Sequence, residues 1–142
     1  MAACRLPFLK RRAREEMTIN EAIDLLDVLK ANKYTDDQKR GWLSELDGQI
    51  YKEIIQTHAP DEHTPESFAG YGAETDGTTE LLVPSPYSDI YMHYLSMKVD
   101  LYNTEIVNYN NDKDLFNGAY DSYAQYYNRT HMPIQAVRRF NV

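Results

Sequence analysis

A single cysteine, Cys4, stands in 142 residues, which excludes an internal disulfide framework and any cysteine-built zinc site. No apolar run approaches the roughly 18–20 residues that a membrane-spanning helix needs. Six Gly and six Pro are too few for a fibrous or low-complexity chain. Cations are scarce: 15 Lys and Arg face 22 Asp and Glu, a net charge of −7. That balance argues against nucleic acid as a tightly held ligand, because affinity for phosphates comes from Lys and Arg. What remains is an ordinary globular composition, 42% apolar and 26% charged, at the length of one domain. The aromatics are lopsided, with twelve Tyr against four Phe and one Trp. Tyr joins an apolar ring to a polar tip and suits half-wet interfaces.

Charge is uneven along the chain. Arg5, Lys10, Arg11, Arg12 and Arg14 against Glu15 and Glu16 give the first sixteen residues +3, so the rest carries −10. Three readings of 1–16 stand: an Arg-rich targeting peptide, a basic arm, or an over-long start with the true one at Met17. The last is preferred, because Met17-Thr18-Ile19-Asn20-Glu21 opens a well-formed helix.

Hydrophobic periodicity predicts four helices. Thr18 and Glu21 form a capping-box pattern ahead of helix 1, over 19–31. Thr35 and Gln38 repeat the pattern ahead of helix 2, over 36–57, with Asp36 and Asp37 at its positive end. Gly41 and Gly48 lie on similar faces of that helix and imply close packing against helix 1. Residues 58–79 form a loop long enough to be functional or mobile. Thr79–Val83 reads as a short strand or a strap over the core. Helix 3, over 87–109, carries one stripe of Tyr91, Leu95, Val99, Tyr102, Ile106 and Tyr109. Ile90, Tyr94, Met97 and Leu101 form a second stripe beside it, so the helix is expected to be the most buried, or also to meet a neighbouring subunit. Asn110-Asn111-Asp112 reads as a turn, and helix 4 follows over 113–129, with Leu115, Phe116, Ala119, Tyr120, Tyr123, Ala124 and Tyr127 on its apolar side. The expected fold class is therefore all-α: a four-helix domain over 17–132, with an extended tail over 133–142.

Residues with chemistry to offer fall into no recognised pattern. His58, Asp61, Glu62 and His63 crowd the long loop, but their spacing fits no zinc or calcium loop. His93 reads as a packed histidine, and His131 as a cation at a helix C-terminus. The serines lack a nucleophile-elbow context, and Gly70-Tyr71-Gly72 lacks the strand and helix of a phosphate loop. No catalytic residue, metal or cofactor is expected, so the residues read as an interaction or assembly protein and not an enzyme.

Three stretches carry a resemblance. They are Trp42-Leu-Ser-Glu-Leu-Asp-Gly-Gln-Ile-Tyr51; Thr79-Glu-Leu-Leu-Val-Pro84 leading to Tyr87-Ser-Asp-Ile-Tyr-Met-His-Tyr-Leu95; and Tyr109-Asn-Asn111 with Phe116-Asn117, Ala119-Tyr120 and Tyr126-Tyr-Asn-Arg-Thr-His-Met-Pro133. Over roughly Thr18 to Pro133 the chain resembles the head–tail connector, or adaptor, proteins of tailed bacteriophages.

The resemblance implies a virion protein of the neck, made in the bacterial cytoplasm. Such proteins assemble as a ring, typically twelvefold, beneath the portal. They meet a tail or stopper protein and line the channel through which the genome passes during ejection, without binding it specifically and without a membrane. A ring of identical chains needs two different patches on each copy, and Tyr91, Tyr94, Tyr102 and Tyr109 are the expected subunit interface. The loop is expected to order only against a neighbour or the channel axis. The tail, with Ile134, Val137 and Phe140 every third residue and Arg138 and Arg139 between the last two, is expected to dock on the portal; folding back on its own domain is the alternative. The competing function is a soluble, non-enzymatic protein-binding or regulatory helical module.

Overall fold

A computed structural model describes residues 16–134. In chain order the elements are β1 (Glu16–Thr18), α1 (Ile19–Leu29), α2 (Asp36–Ile50), a π-helical turn (Tyr51–Ile55), β2 (Glu80–Pro84), α3 (Asp89–Tyr102) and α4 (Ile106–Thr130). The domain is mainly helical. The all-α expectation is corrected by a two-stranded antiparallel sheet, in which Glu16 pairs with Pro84 and Thr18 with Glu80 across an irregular register.

Both predicted capping boxes form. Thr18 accepts from the Glu21 amide while the Glu21 carboxylate accepts from the Thr18 amide, and Thr35 and Gln38 do the same for α2. The amides of Ile19 and Asn20, among those a helix start leaves without intrahelical partners, donate to the carbonyls of Thr79 and Gly77. The segment before β2 thus sits on the N-terminus of α1. The approach at Gly77 is close: a Cβ would lie 2.3 Å from the Asn20 side chain, which would have to move.

Helix 2 is not uniform to residue 57 as expected; it widens into the π turn, which still buries Tyr51, Ile54 and Ile55. The glycine reading is also corrected. A Cβ on Gly41 would meet open space, and one on Gly48 would touch only Phe68 of the loop.

Helices α3 and α4 pack antiparallel: Ser96 bonds Asp112, Tyr94 lies against Phe116, and Tyr87 against Tyr123 and Tyr126. α3 has half of its residues buried and is the innermost of the four helices, as expected. Its end is not. The break falls at 103–105, where Thr104 takes φ 58° and the Glu105 amide bonds the Asp100 carbonyl, and not at 110–112. Asn110, Asn111 and Asp112 are helical because Asp112 spends its acceptor oxygen on Ser96 and Lys30 and not on a local turn. Asn103 is engaged by the Tyr34 hydroxyl.

The loop is tied to its own chain, which corrects the expectation that it orders only against a neighbour. Arg40 donates to the carbonyls of Gly72, Ala73 and Thr75. The Tyr51 hydroxyl bonds the carbonyls of Pro65 and Glu66, and Phe68 packs between Tyr51 and Tyr71. The Tyr71 amide donates to Ser44. Before it, Gly70 turns at φ 92° against Ser44, where a Cβ would lie 2.7 Å from the hydroxyl.

Candidate binding cleft

One side chain holds the centre together. Asp47 of α2 is wholly buried; it accepts from the Tyr71 hydroxyl at 2.5 Å, the Tyr91 hydroxyl at 2.7 Å and the Leu82 amide at 3.2 Å. Burial pushes its carboxyl up to about 6, against the three hydrogen bonds that favour the charged form. Tyr91 also accepts from the Val83 amide at 2.7 Å. The inner edge of β2 is thereby fixed to α2, the loop and α3.

A cleft of about 500 Å³ opens between β2, the loop and α4, within the usual size of a ligand site. Its apolar floor includes Ile55, Leu81 and Leu82, and α4 supplies Tyr123, Tyr126 and Tyr127, which one turn of spacing places on a common face. The lining also includes Glu16, Asp61 and Glu80, with His63 and His131; no Lys or Arg lines the cleft among the described residues.

The rim is a latch between loop and helix. His131 Nε2 lies 2.7 Å from Asp61 Oδ2, while Asp61 Oδ1 accepts from the His63 amide at 2.8 Å and the Thr64 hydroxyl at 2.9 Å. Partial burial raises the Asp61 carboxyl, but the bonds from His131, His63 and Thr64 outweigh it and hold the group at about 2. The His131 ring stacks flat on Tyr127, centroids 3.8 Å apart, with Nδ1 on the Thr130 hydroxyl. Both its nitrogens are engaged, so it offers none to activate Ser85 across the cleft.

Tyr123 is 2% exposed and is among the residues that line the cleft. Its contacts are ring on ring, with Tyr87, Tyr126 and Tyr127. Burial raises this phenol above its ordinary value and keeps it protonated.

The loop residues grouped by sequence are separated by the fold. His58 is buried, with Nδ1 2.6 Å from the Ile54 carbonyl, Nε2 2.6 Å from Asn128 Oδ1 and its ring edge-on to Tyr127. From the start of the loop it joins the π turn to α4. His63 is exposed beside Glu62, and His93 lies 3.8 Å from Asp89 one turn earlier. Among the described residues no three His, Cys, Asp or Glu side chains gather as a metal site, and no helix is long and apolar enough to cross a membrane.

The expected interface tyrosines divide. Tyr91 is 0% exposed and Tyr94 is buried, its hydroxyl on Glu45, so both belong to the subunit's own packing. Tyr102 is 55% exposed with its ring stacked on Trp42, and Tyr109 is half-buried. Of the tail, Pro133 bridges His58 and the exposed Ile134 donates its amide to the Thr57 carbonyl. Val137, Arg138, Arg139 and Phe140 lie outside the described residues, as do residues 1–15 of the segment read over 1–16.

Sequence reasoning missed Asp47 and the Asp61–His131 latch. Only the 123/127 spacing on α4 signalled a tyrosine wall. Comparison with protein families, curated proteins and solved structures finds no match.

Proposed function

We propose that the chain is a structural virion protein: a ring-forming adaptor between the portal and the tail of a bacteriophage, lining the DNA channel. The resemblance in its sequence suggests the class, and the observation that carries it here is an apolar end without a partner. Lys30 at the end of α1 meets Asp100 of α3 and Asp112 of α4, which brings three helix ends together. Around that junction Val28 is 81% exposed and Val107 74%, with Leu29, Leu101 and Ile106 also in solvent. Exposed apolar residues at one end mark a protein contact, and a second, different patch completes the head-to-tail interface of a ring.

The partly exposed Tyr102 and Tyr109 extend this surface and replace Tyr91 and Tyr94 as interface residues. The excess of carboxylates suits a conduit that must not hold its cargo, since each Lys–phosphate contact adds affinity. In this reading the segment 133–142 docks on the portal, and a tail or stopper protein meets the opposite face.

Purified chain is expected to co-sediment with the portal of its own phage and to appear as a ring by electron microscopy. Val107→Asp combined with Val28→Asp should abolish ring formation while leaving the melting temperature within about 2 °C. A chain that stays monomeric and ignores the portal would overturn the reading in favour of a soluble binding or regulatory module, which the tyrosine-walled cleft favours.

A further inference from the structure

We propose that the exposed apolar end of the domain is covered in the free chain by the chain's own segment Leu6–Arg14, docked back along α1. Residues 1–15 then act as a basic arm, one of the readings open to them, because the fold supplies a face whose order matches theirs. Glu21, Asp24, Leu25 and Val28 follow one another at three- and four-residue steps on α1 and share one exposed side, acidic near the start of the helix and apolar near its end. Followed back from Glu16, the segment presents Arg14, Arg12, Arg11 and Lys10 first, then Leu9, Phe8 and Leu6. Laid against α1, its cations meet Glu21 and Asp24, and its apolar residues meet Leu25, Val28 and the junction beyond.

Charge favours this occupant. Residues 16–134 carry 8 Lys and Arg against 21 Asp and Glu, whereas residues 1–15 carry five against one. The Glu21 carboxylate bonds the Thr18 amide of its own cap, and neither Glu21 nor Asp24 forms an ion pair among the described residues. Exposed ion pairs contribute little to stability, so the charges set the direction of the arm and the apolar contacts hold it. Covering Val28 and Val107, 81% and 74% exposed, supplies most of the attraction.

Reach separates the two ends of the chain. Glu16 and Val28 are at most about 24 Å apart, three extended residues and nine helical ones. Eight extended residues span about 27 Å, so Phe8 reaches Val28 whatever direction the chain takes before Glu16, and Leu6 reaches further. Residues 135–142 do not reach Val107 of their own chain. Ile134 is tied to Thr57, next to His58 on Asn128, about 32 Å along α4 from Val107, and eight extended residues fall short of that. A tether as short as the N-terminal one holds the arm at about millimolar effective concentration, so modest contacts suffice within one chain.

Docking of the arm requires no ring; in the ring reading a neighbour displaces it from the same face. The test uses the full chain, isotope-labelled, with a nitroxide on Cys4, its single cysteine. In NMR spectra the amides of Leu29 and Val107 should lose at least half of their intensity, while those of Thr57 and Ala59 at the other pole keep theirs. Phe8→Ser with Leu9→Ser in one chain, and Val28→Asp in another, should each restore the lost intensity and leave the rest of the spectrum unchanged. Nitroxide-bearing chain without isotope, mixed with isotope-labelled chain without nitroxide, should cause no broadening. Undiminished Leu29 and Val107 signals, or broadening that survives both sets of substitutions, overturns the proposal. Broadening in the mixed sample also overturns it, because the arm of a second copy would then be the occupant. Rings seen by electron microscopy without the broadening remove the docked arm and leave the adaptor reading, and broadening without rings does the reverse.

Discussion

Two buried carboxylates, at opposite ends of the network that joins the helices, are stabilised in opposite ways. Asp47 is held by neutral donors alone: two tyrosine hydroxyls and one amide. Asp100 is held by a cation, Lys30 at 2.6 Å, with Asp112 and Ser96 sharing the same ammonium, and its Oδ2 has no partner. Burial raises both carboxyls. The Asp100 carboxyl is raised further by its neighbour Asp112, whose own is lowered because the bonds from Asp100, Ser96 and Lys30 outweigh its desolvation. Neutral donors fix geometry at a solvation cost; a cation relieves the cost but needs a second acid to complete its shell.

Removing the centre of the first network is the strongest way to break this comparison. Asp47→Ala strands two phenols and an amide and should lower stability by about 4 kcal/mol in urea denaturation. Asp47→Asn sharpens it instead. The folded carboxyl titrates at about 6 against 3.8 unfolded, so the folded state binds more protons between those values. This group's contribution to stability therefore falls as pH rises from about 4 to 6, by on the order of 3 kcal/mol. The asparagine variant should lose that slope.

At the other end, Lys30→Met leaves two acids without their shared cation and should cost about 3 kcal/mol, whereas Asp100→Asn, which keeps an acceptor for Lys30 and removes one charge, should cost only about 1 kcal/mol in urea denaturation. If Asp100→Asn proves the worse of the two, the cation is not what holds this end together. His58→Ala should cost about 2 kcal/mol through its lost bonds to Ile54 and Asn128. The smallest effect belongs to the exposed latch. Asp61 has a folded carboxyl at about 2, below its unfolded 3.8, so its contribution is present above pH 4 and lost as pH falls towards 2. Asp61→Asn should flatten that acid limb of the stability curve.

Local signals were readable and remote ones were not. Thr18, Glu21, Thr35 and Gln38 announced two helix starts because capping is settled within four residues. The α3–α4 break was misplaced because Asn110-Asn111-Asp112 has turn composition, while the ammonium that satisfies Asp112 comes from Lys30, far earlier in the chain. β1 was invisible because three residues show no period, and only the pairing with β2 makes them a strand. Of the cleft, the tyrosine face of α4 was legible as an apolar stripe. The latch was not, since Asp61 and His131 are seventy residues apart.

The stitches on the long loop also decide how the domain comes apart. Tyr51 holds Pro65 and Glu66, Ser44 and Asp47 together hold Tyr71, Arg40 holds Gly72 to Thr75, and the start of α1 holds Gly77 and Thr79. Residues 65–79 cannot lift away without spending bonds made by the core, and the core cannot keep Asp47 satisfied once Tyr71 has left. Opening of the loop and loss of the whole fold are then one event. Amides such as that of Tyr71 should exchange with solvent at the rate of global unfolding, and a protease should find the loop only in molecules that have already unfolded.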